Sequence, residues 1–146
     1  MNAIPDSGVP QNILNGSVLA HVAAAYFLAG KRLERKTGCS ATRGFILSAL
    51  RDGAALNQNQ IATLLGFDRT VVHRAVKAMV REGLVAEHEA KTGRSIRLSL
   101  TTKGNRYRAR LIGTRVAADE TIRRHLTPEE CQTLVRLLTR IGEIEF

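Results

Sequence analysis

Hydrophobic residues recur at spacings of three and four along most of the chain, the period that places them on one face of a helix. From Ile13 to about Lys36 the apolar stripe consists of Leu14, Val18, Val22, Ala25, Ala29 and Leu33. A second apolar helix is predicted from about Thr42 to Arg51. Residues 1–12 carry two of the three prolines and lack this period, so we expect a flexible lead-in there.

Two short helices with strong start signals are predicted in the middle of the chain. Asn57, followed three residues later by Gln60, has the pattern of a capping box at the start of the third helix. Asp68 is the next expected N-cap, and the fourth helix should run to about Glu82, where a glycine follows. Only a short turn is left between these two helices.

A hairpin and two more helices complete the predicted order. Residues 84–90 and 95–100 alternate enough to form two short strands, with a charged, glycine-containing tip between them. Thr101 can cap a long fifth helix that reaches about His125. Thr127, Pro128 and Glu130 form a strong start signal for the last helix. We therefore predict a mainly α fold with a small β-hairpin wing.

Composition adds a constraint on the core and a clue about the partner. The chain is 44% hydrophobic but only 4% aromatic, with no tryptophan, so the core should be mainly aliphatic. Of the net charge of +9, residues 68–110 alone contribute +7. A localised basic block is typical of a nucleic-acid binder, the alternative being a surface that is merely soluble.

Several classes of function find no support in the sequence. The two cysteines, Cys39 and Cys131, are far apart, which suits a reducing compartment better than a disulfide scaffold. We see no signal peptide and no run long enough to span a membrane, and we expect a cytoplasmic protein. No catalytic constellation or phosphate loop is found, and the four histidines lack metal-ligand spacing. We therefore expect no enzyme, no metal and no cofactor.

The fourth helix has two contrasting faces. Val72, Ala75, Val76 and Met79 follow the spacing of an inward-facing stripe. The residues expected to point outward are Arg69, Thr70, His73, Arg74 and Lys77, with Val71 at the edge. In a major groove such side chains can donate to guanine, contact phosphate or touch a thymine methyl group. The plainer interpretation of the same face is a solvated helix surface.

The hairpin tip is the second candidate for contact with DNA. Arg94 follows a glycine at the tip, and an arginine there fits a narrow minor groove, where the negative potential is enhanced. Lys91 and Arg97 are expected on phosphate or in solvent. Together with the fourth helix, the hairpin predicts sequence-specific binding to double-stranded DNA.

At this point the sequence resembles the winged helix-turn-helix of the MarR family of bacterial transcription regulators. The matching segments are NQNQIATLLGFDRTVVHRAVKAMVREGLV (57–85) and GRSIRLSLTTKG (93–104). The resemblance is strongest over residues 54–104 and extends loosely to nearly the whole chain. The family's wing usually reads Asp-Arg-Arg. Arg94 falls on the last of these positions, whereas Thr92 and Gly93 depart from the other two.

The resemblance implies a homodimer that binds a pseudo-palindromic operator. On this basis residues 53–104 form the DNA-binding lobe of a single domain, and residues 13–51 and 105–146 form the dimerisation region. The sequence supports the dimer independently, because the terminal helices have wide apolar stripes and few partners in so small a chain. Two-fold symmetry would place the two fourth helices about one DNA turn apart.

Members of the family commonly respond to small phenolic or aromatic carboxylate ligands, or to oxidants. Candidate ligand contacts are His21, Tyr26, Arg43 and Phe45, and Arg43 could pair with a carboxylate. The alternatives are a core role for Tyr26 and Phe45, a packed or solvated helix position for His21, and a surface position for Arg43. Cys39, near Lys36 and Arg43, is a weaker candidate for a redox switch.

The predicted function is therefore a DNA-binding transcription regulator, a repressor released by a small aromatic or carboxylate ligand. The alternative is a constitutive or architectural DNA-binding protein without an effector, which would bind all sequences with similar affinity. A cysteine redox sensor is a third possibility.

Overall fold

The computed structural model describes residues 16–51, 53–89 and 95–145. Within these ranges the chain forms six α-helices and one antiparallel hairpin. In chain order they are α1 (Val18–Thr37), α2 (Ala41–Ala49), α3 (Gln58–Leu65), α4 (Arg69–Arg81), β1 (Val85–Glu89), β2 (Ile96–Leu100), α5 (Thr102–Arg123) and α6 (Pro128–Gly142). The mainly α fold with a small hairpin is confirmed.

Most helix starts are fixed by the capping residues that the sequence predicts. Asn57 Oδ1 accepts a hydrogen bond from the Gln60 N–H at 2.8 Å, and Gln60 Oε1 accepts one from the Asn57 N–H at 2.9 Å. Thr127 and Glu130 form the same reciprocal box at α6, and Asp68 caps α4. These bonds satisfy backbone donors that a helix start leaves without partners.

The first helix begins later than the sequence predicts. Ser17 caps α1 by accepting a hydrogen bond from the Ala20 N–H at 3.3 Å, and Gly16 has a left-handed φ of 71°. A left-handed residue interrupts a right-handed helix, so the described helix begins at Val18. The start predicted at Ile13 and the lead-in predicted over residues 1–12 lie outside the described residues.

The hydrophobic core belongs to the segment from α2 to β2. Its large, fully buried side chains are Ile46, Leu47, Leu50, Ile61, Val72, Val76, Met79 and Leu98. They are aliphatic or methionine, which confirms the prediction of an aliphatic core. The three helices α2, α3 and α4 thus pack around one centre, with the hairpin closing one side.

The hairpin is anchored to the segment that precedes α3. Val85 pairs with Leu100 and Glu89 with Ile96 in antiparallel register. Leu98 also donates its N–H to the Leu56 carbonyl at 2.8 Å, which forms a bridge on the other edge of β2. The base of the hairpin is therefore held on both sides.

A glycine allows α5 to start close to the end of α4. The carbonyl oxygen of Leu84 accepts a hydrogen bond from the Thr101 N–H at 3.1 Å. A Cβ placed on Gly104 would lie only 2.0 Å from that same oxygen, so no larger residue fits this backbone position. The junction between β2 and α5 therefore requires glycine.

The outer helices bury little of their apolar surface within one chain. None of the described residues of α1 or α6 is buried. The outer helices are α1, α5 and α6, and their exposed large hydrophobic side chains are Val18, Leu19, Tyr26, Phe27, Val116, Ile122, Leu134, Val135, Leu137 and Leu138. None of the described helices combines the length and apolarity that crossing a membrane requires.

Candidate nucleic-acid interface and adjoining cavity

Helix α4 presents the two faces that its sequence predicts. Val72, Val76 and Met79 are completely buried against α2 and α3. The residues exposed on the other face are Arg69, Thr70, Val71, His73, Arg74 and Lys77. The buried stripe fixes the rotation of the helix about its own axis, so the same six side chains must face outward together.

The arginine and lysine side chains on this face form no ion pairs within the described parts of the chain. The two ion pairs there join Lys31 to Glu34 and Arg43 to Glu82, and neither uses a residue of the exposed face of α4. Guanidinium and ammonium groups without carboxylate partners can still donate to an external anion or base edge.

Asp68 is the one carboxylate at the start of this face. Its Oδ1 accepts a hydrogen bond from the Thr70 N–H at 2.7 Å. That backbone bond is the main reason why the pKa of Asp68 lies below its ordinary value, with a smaller contribution from the Thr70 side chain. Asp68 thus stabilises the helix start as an anion, and the exposed cations of α4 outnumber it.

His73 is tied to the preceding helix. Its Nδ1 lies 3.0 Å from Oε1 of Gln58, the first residue of α3. The sequence places His73 on the outward face but does not predict this contact, because the contact depends on the angle between the two helices. Both residues therefore lie at the junction of the helix-turn-helix.

Arg97 has a contact that the sequence does not predict. Its Nη1 donates to the Ala55 carbonyl at 2.8 Å, while the residue as a whole stays exposed. Nearby, Asn57 Nδ2 donates to Ser95 Oγ at 3.4 Å. These bonds brace the hairpin against the start of α3. The phosphate contact of Arg97 remains a prediction, and the tip residues Lys91 and Arg94 lie outside the described residues.

A cavity of about 310 Å³ lies between α1, α2 and α5. Its wall is mainly apolar and includes Tyr26 and Phe45, two of the four residues that the sequence analysis proposed as ligand contacts. Phe45 also meets Phe67 edge to face, with ring centroids 6.1 Å apart. A mainly apolar cavity of this size is at the lower end of the range of small-molecule sites.

Two arginines from α5, Arg108 and Arg115, border this cavity and were not among the predicted residues. The Nε of Arg108 is buried and has no hydrogen-bond partner among the described residues. Such a donor is costly unless a bound group or water accepts from it. The seven-residue spacing places both arginines on one face of α5, but the sequence does not show which neighbours that face meets.

The other two predicted ligand contacts do not line the cavity, which corrects their grouping with Tyr26 and Phe45. His21 Nδ1 donates to the Ser17 carbonyl at 2.8 Å, a contact within its own helix start. Arg43 pairs with the carboxylate of Glu82, so its predicted carboxylate partner is internal. Arg43 and Phe45 lie two residues apart in α2 and therefore point in different directions: Phe45 faces the cavity, and Arg43 faces the end of α4.

Glu82 connects three helices. Besides pairing with Arg43 of α2, it caps the C-terminus of α4, and its backbone carbonyl accepts a hydrogen bond from Lys103 Nζ of α5 at 2.7 Å. The side chain of Arg43 is only 20% exposed. Helices α2 and α5, which both contribute other residues to the cavity wall, are therefore each bonded to the end of α4.

Cys39 has the environment of a structural thiol. It is 6% exposed, and burial raises its pKa above the ordinary value although Tyr107 and Arg43 act in the opposite direction. Because the thiolate is the reactive form, a raised pKa makes this cysteine less reactive at neutral pH. The geometry therefore disfavours the redox switch that its nearby cations suggested.

Comparison with known proteins is relevant to both the exposed cationic face of α4 and the cavity. Residues 37–95 match the model of the MarR family. This match covers α2, α3, α4 and part of the hairpin, and it confirms the resemblance that the sequence predicts. No curated protein matches the chain.

Solved structures share the fold over most of the chain. The PcaV transcriptional regulator of Streptomyces coelicolor, in complex with its natural ligand, is 21% identical with a TM-score of 0.77, and the match covers 98% of each chain. BpsR of Bordetella bronchiseptica, whose DNA binding is regulated by 6-hydroxynicotinic acid, is 18% identical over 85% of this chain and 98% of its own, with a TM-score of 0.72.

A third similar structure is the complex of S. aureus MepR with DNA. It is 18% identical with a TM-score of 0.73, and the match covers 88% of this chain and 96% of MepR. At such identities the likeness establishes the winged-helix fold and does not carry over the ligands or the DNA sequence.

Proposed function

We propose that this chain, whose residues 37–95 carry the MarR-family match, is a transcriptional repressor that binds a pseudo-palindromic operator as a homodimer and is released by a small aromatic or carboxylate ligand. The observation that carries the proposal is the orientation of α4. It buries Val72, Val76 and Met79 completely and turns its cationic and polar side chains outward.

The outward face of α4 has the chemistry of a major-groove reader. The groove is wide enough for an α-helix, and Arg69 and Arg74 can each donate two hydrogen bonds to the O6 and N7 of guanine. Thr70 and Val71 can contact other base edges or a thymine methyl group. The braced base of the hairpin supports a role for Arg94 in the adjacent minor groove, and MepR, a protein of the same fold, has been solved with DNA.

A second copy of the chain is the proposed partner of the outer helices. Leu134, Val135 and Leu138 lie on one side of α6 and are each more than 40% exposed, and α1 exposes Val18 and Leu19 at its start. Exposed apolar side chains in this number are unfavourable in water unless they are covered. Pairing through α1, α5 and α6 covers them and gives DNA two lobes related by a two-fold axis.

The cavity is the proposed effector site. Apolar walls with Tyr26 and Phe45 suit an aromatic ring, and the buried Arg108 Nε offers a donor to a carboxylate. Among proteins of the same fold, PcaV has been solved in complex with its natural ligand, and the DNA binding of BpsR is regulated by 6-hydroxynicotinic acid. The bonds that join α2 and α5, two helices bordering the cavity, to the end of α4 give a bound ligand a route to the proposed DNA-binding face.

Selection from a random pool of DNA duplexes tests the function. We expect the protein to enrich an inverted repeat whose half-sites lie about one helical turn apart. Sedimentation should show a dimer at the same protein concentration. Enrichment of no sequence, with equal affinity for all duplexes at fixed salt, would instead identify the architectural alternative.

Arg108 provides the test of the effector site. We expect small aromatic carboxylates to raise the melting temperature and to release the selected DNA, because a ligand that binds only the folded, DNA-free form stabilises it. The Arg108→Met variant should lose most of the shift for the acids but little of the smaller shift for the uncharged amides.

The matched control for that variant is Arg106→Met, which removes an exposed arginine of the same helix that does not border the cavity. It should behave as the wild type does. The effector site is refuted if no aromatic acid both stabilises the protein and releases DNA, or if both variants respond to the acids equally.

A further inference from the structure

We propose that Gln58 sets which base His73 selects, by holding the imidazole ring in one tautomer. The inference rests on the proposed function, because it concerns DNA contacts of α4. Its starting point is the 3.0 Å separation between His73 Nδ1 and Gln58 Oε1. A carboxamide oxygen can only accept a hydrogen bond, so the hydrogen of this bond belongs to Nδ1.

In a neutral imidazole only one nitrogen carries a hydrogen, and the bond made by one nitrogen determines the role of the other. With Nδ1 donating to Gln58, the Nε2 of His73 is left as an acceptor. His73 is exposed on the same face as Arg69 and Lys77, so its ring lies among the side chains proposed to meet the major groove.

Three of the four bases distinguish the two tautomers, whereas adenine offers both a donor and an acceptor in the major groove. An acceptor at Nε2 can pair with the exocyclic amines of cytosine and adenine, which are donors in the major groove. It cannot pair with O6 or N7 of guanine or with O4 of thymine, since these atoms are acceptors themselves. The opposite tautomer, with a hydrogen on Nε2, can pair with guanine, thymine or adenine N7 and cannot pair with the amine of cytosine.

The backbone at Gln58 is held in place by its neighbours. It is the first residue of α3, directly after the capping residue Asn57. Asn57 is held by the reciprocal box with Gln60 and by its bond to Ser95 of the hairpin. The carboxamide that faces His73 therefore projects from a backbone fixed at the junction of α3 and the hairpin. Gln58 acts as a positioning residue through His73.

Nitrogen-15 spectroscopy of the imidazole rings tests the tautomer without DNA. At pH 8 the wild-type protein should show His73 with Nδ1 as the protonated nitrogen and Nε2 as the unprotonated one. Gln58→Met removes the acceptor, and the hydrogen should move to Nε2. The control Asn59→Met, which alters the next, exposed residue of α3, should leave the wild-type pattern. A wild-type ring that is protonated at Nε2 overturns the proposal.

Selection from random duplexes tests the consequence for base choice. The position that His73 reads is identified as the one whose preference disappears in His73→Ala. There the wild type and Asn59→Met should prefer cytosine or adenine over guanine and thymine, and Gln58→Met should lose this discrimination against guanine and thymine by about 3- to 10-fold, as for one hydrogen bond.

The two readouts separate the inference from the proposed function. If the wild type enriches a sequence but Gln58→Met keeps the same discrimination against guanine and thymine at that position, the inference is overturned while the function stands. If the wild type enriches no sequence, the proposed function fails, and the role in base selection fails with it. A changed tautomer with unchanged preference also contradicts the inference.

Discussion

Replacing Gly104 with alanine is expected to lower the free energy of unfolding by about 3 kcal/mol, at the upper end of the usual cost of overpacking. The added Cβ would lie 2.0 Å from the carbonyl oxygen of Leu84 and 3.0 Å from its carbon. That carbonyl is not free to move away, because it accepts the Thr101 N–H at 3.1 Å, and the Leu84 N–H in turn donates to Met79 at 2.9 Å. Denaturant unfolding at a fixed protein concentration measures the change.

Gly113→Ala is the matched control, because it makes the same substitution later in α5. No described atom beyond its own helix turn and chain neighbours lies within 4 Å of a Cβ placed there. Alanine should therefore be neutral or stabilise by up to about 1 kcal/mol through its higher helix propensity. Equal stability of the two variants would contradict the close approach of α5 to Leu84.

The second large effect is expected for the outward face of α4. Arg69→Ala, His73→Ala and Arg74→Ala should each reduce discrimination between the selected operator and a shuffled duplex, by about 1–3 kcal/mol where the lost contact is bidentate. All three side chains are exposed, so the fold should remain intact. Titration of both duplexes at the same salt concentration measures the difference.

Arg35→Ala controls for the loss of one positive charge, since Arg35 is exposed near the end of α1, outside the proposed DNA-binding lobe. It should leave discrimination unchanged. If the α4 variants lose the same affinity for both duplexes, these residues contact phosphate only, and base reading by α4 is wrong.

Local signals in the sequence were sufficient for most of the fold. The boxes at Asn57 and Thr127 depend on residues three positions apart, so the start of α3 and that of α6 could be predicted without tertiary information. The start of α1 could not be predicted in this way. The apolar spacing from Leu14 to Val18 is compatible with an unbroken helix, and it does not show that Gly16, between them, adopts a left-handed conformation.

The outward face of α4 could also be predicted from a local pattern, since a helix that buries Val72, Val76 and Met79 must expose the opposite side. The cavity is different, because its lining depends on how three helices cross. Arg43 and Phe45 are neighbours in α2, yet one reaches Glu82 and the other the cavity. Arg108 lies far away in the sequence and borders the same space.

Contacts of polar side chains with residues distant in the sequence could not be predicted either. The bond of Arg97 to Ala55 and that of His73 to Gln58 each join residues that no local pattern relates. Both follow from the packing of the hairpin and α4 against α3. They change the interpretation of two predicted DNA contacts, because Arg97 braces the hairpin and His73 is held by its neighbour.

Methylation interference on the selected duplex tests the central claim most directly. Methylation at N7 of guanine blocks the major-groove edge that an arginine of α4 would contact. We predict interference at guanines in two clusters about one helical turn apart, and loss of that interference in the Arg69→Ala or Arg74→Ala protein. Interference at no guanine, on an operator that contains guanines in both half-sites, would contradict the assignment of α4 as the reading helix.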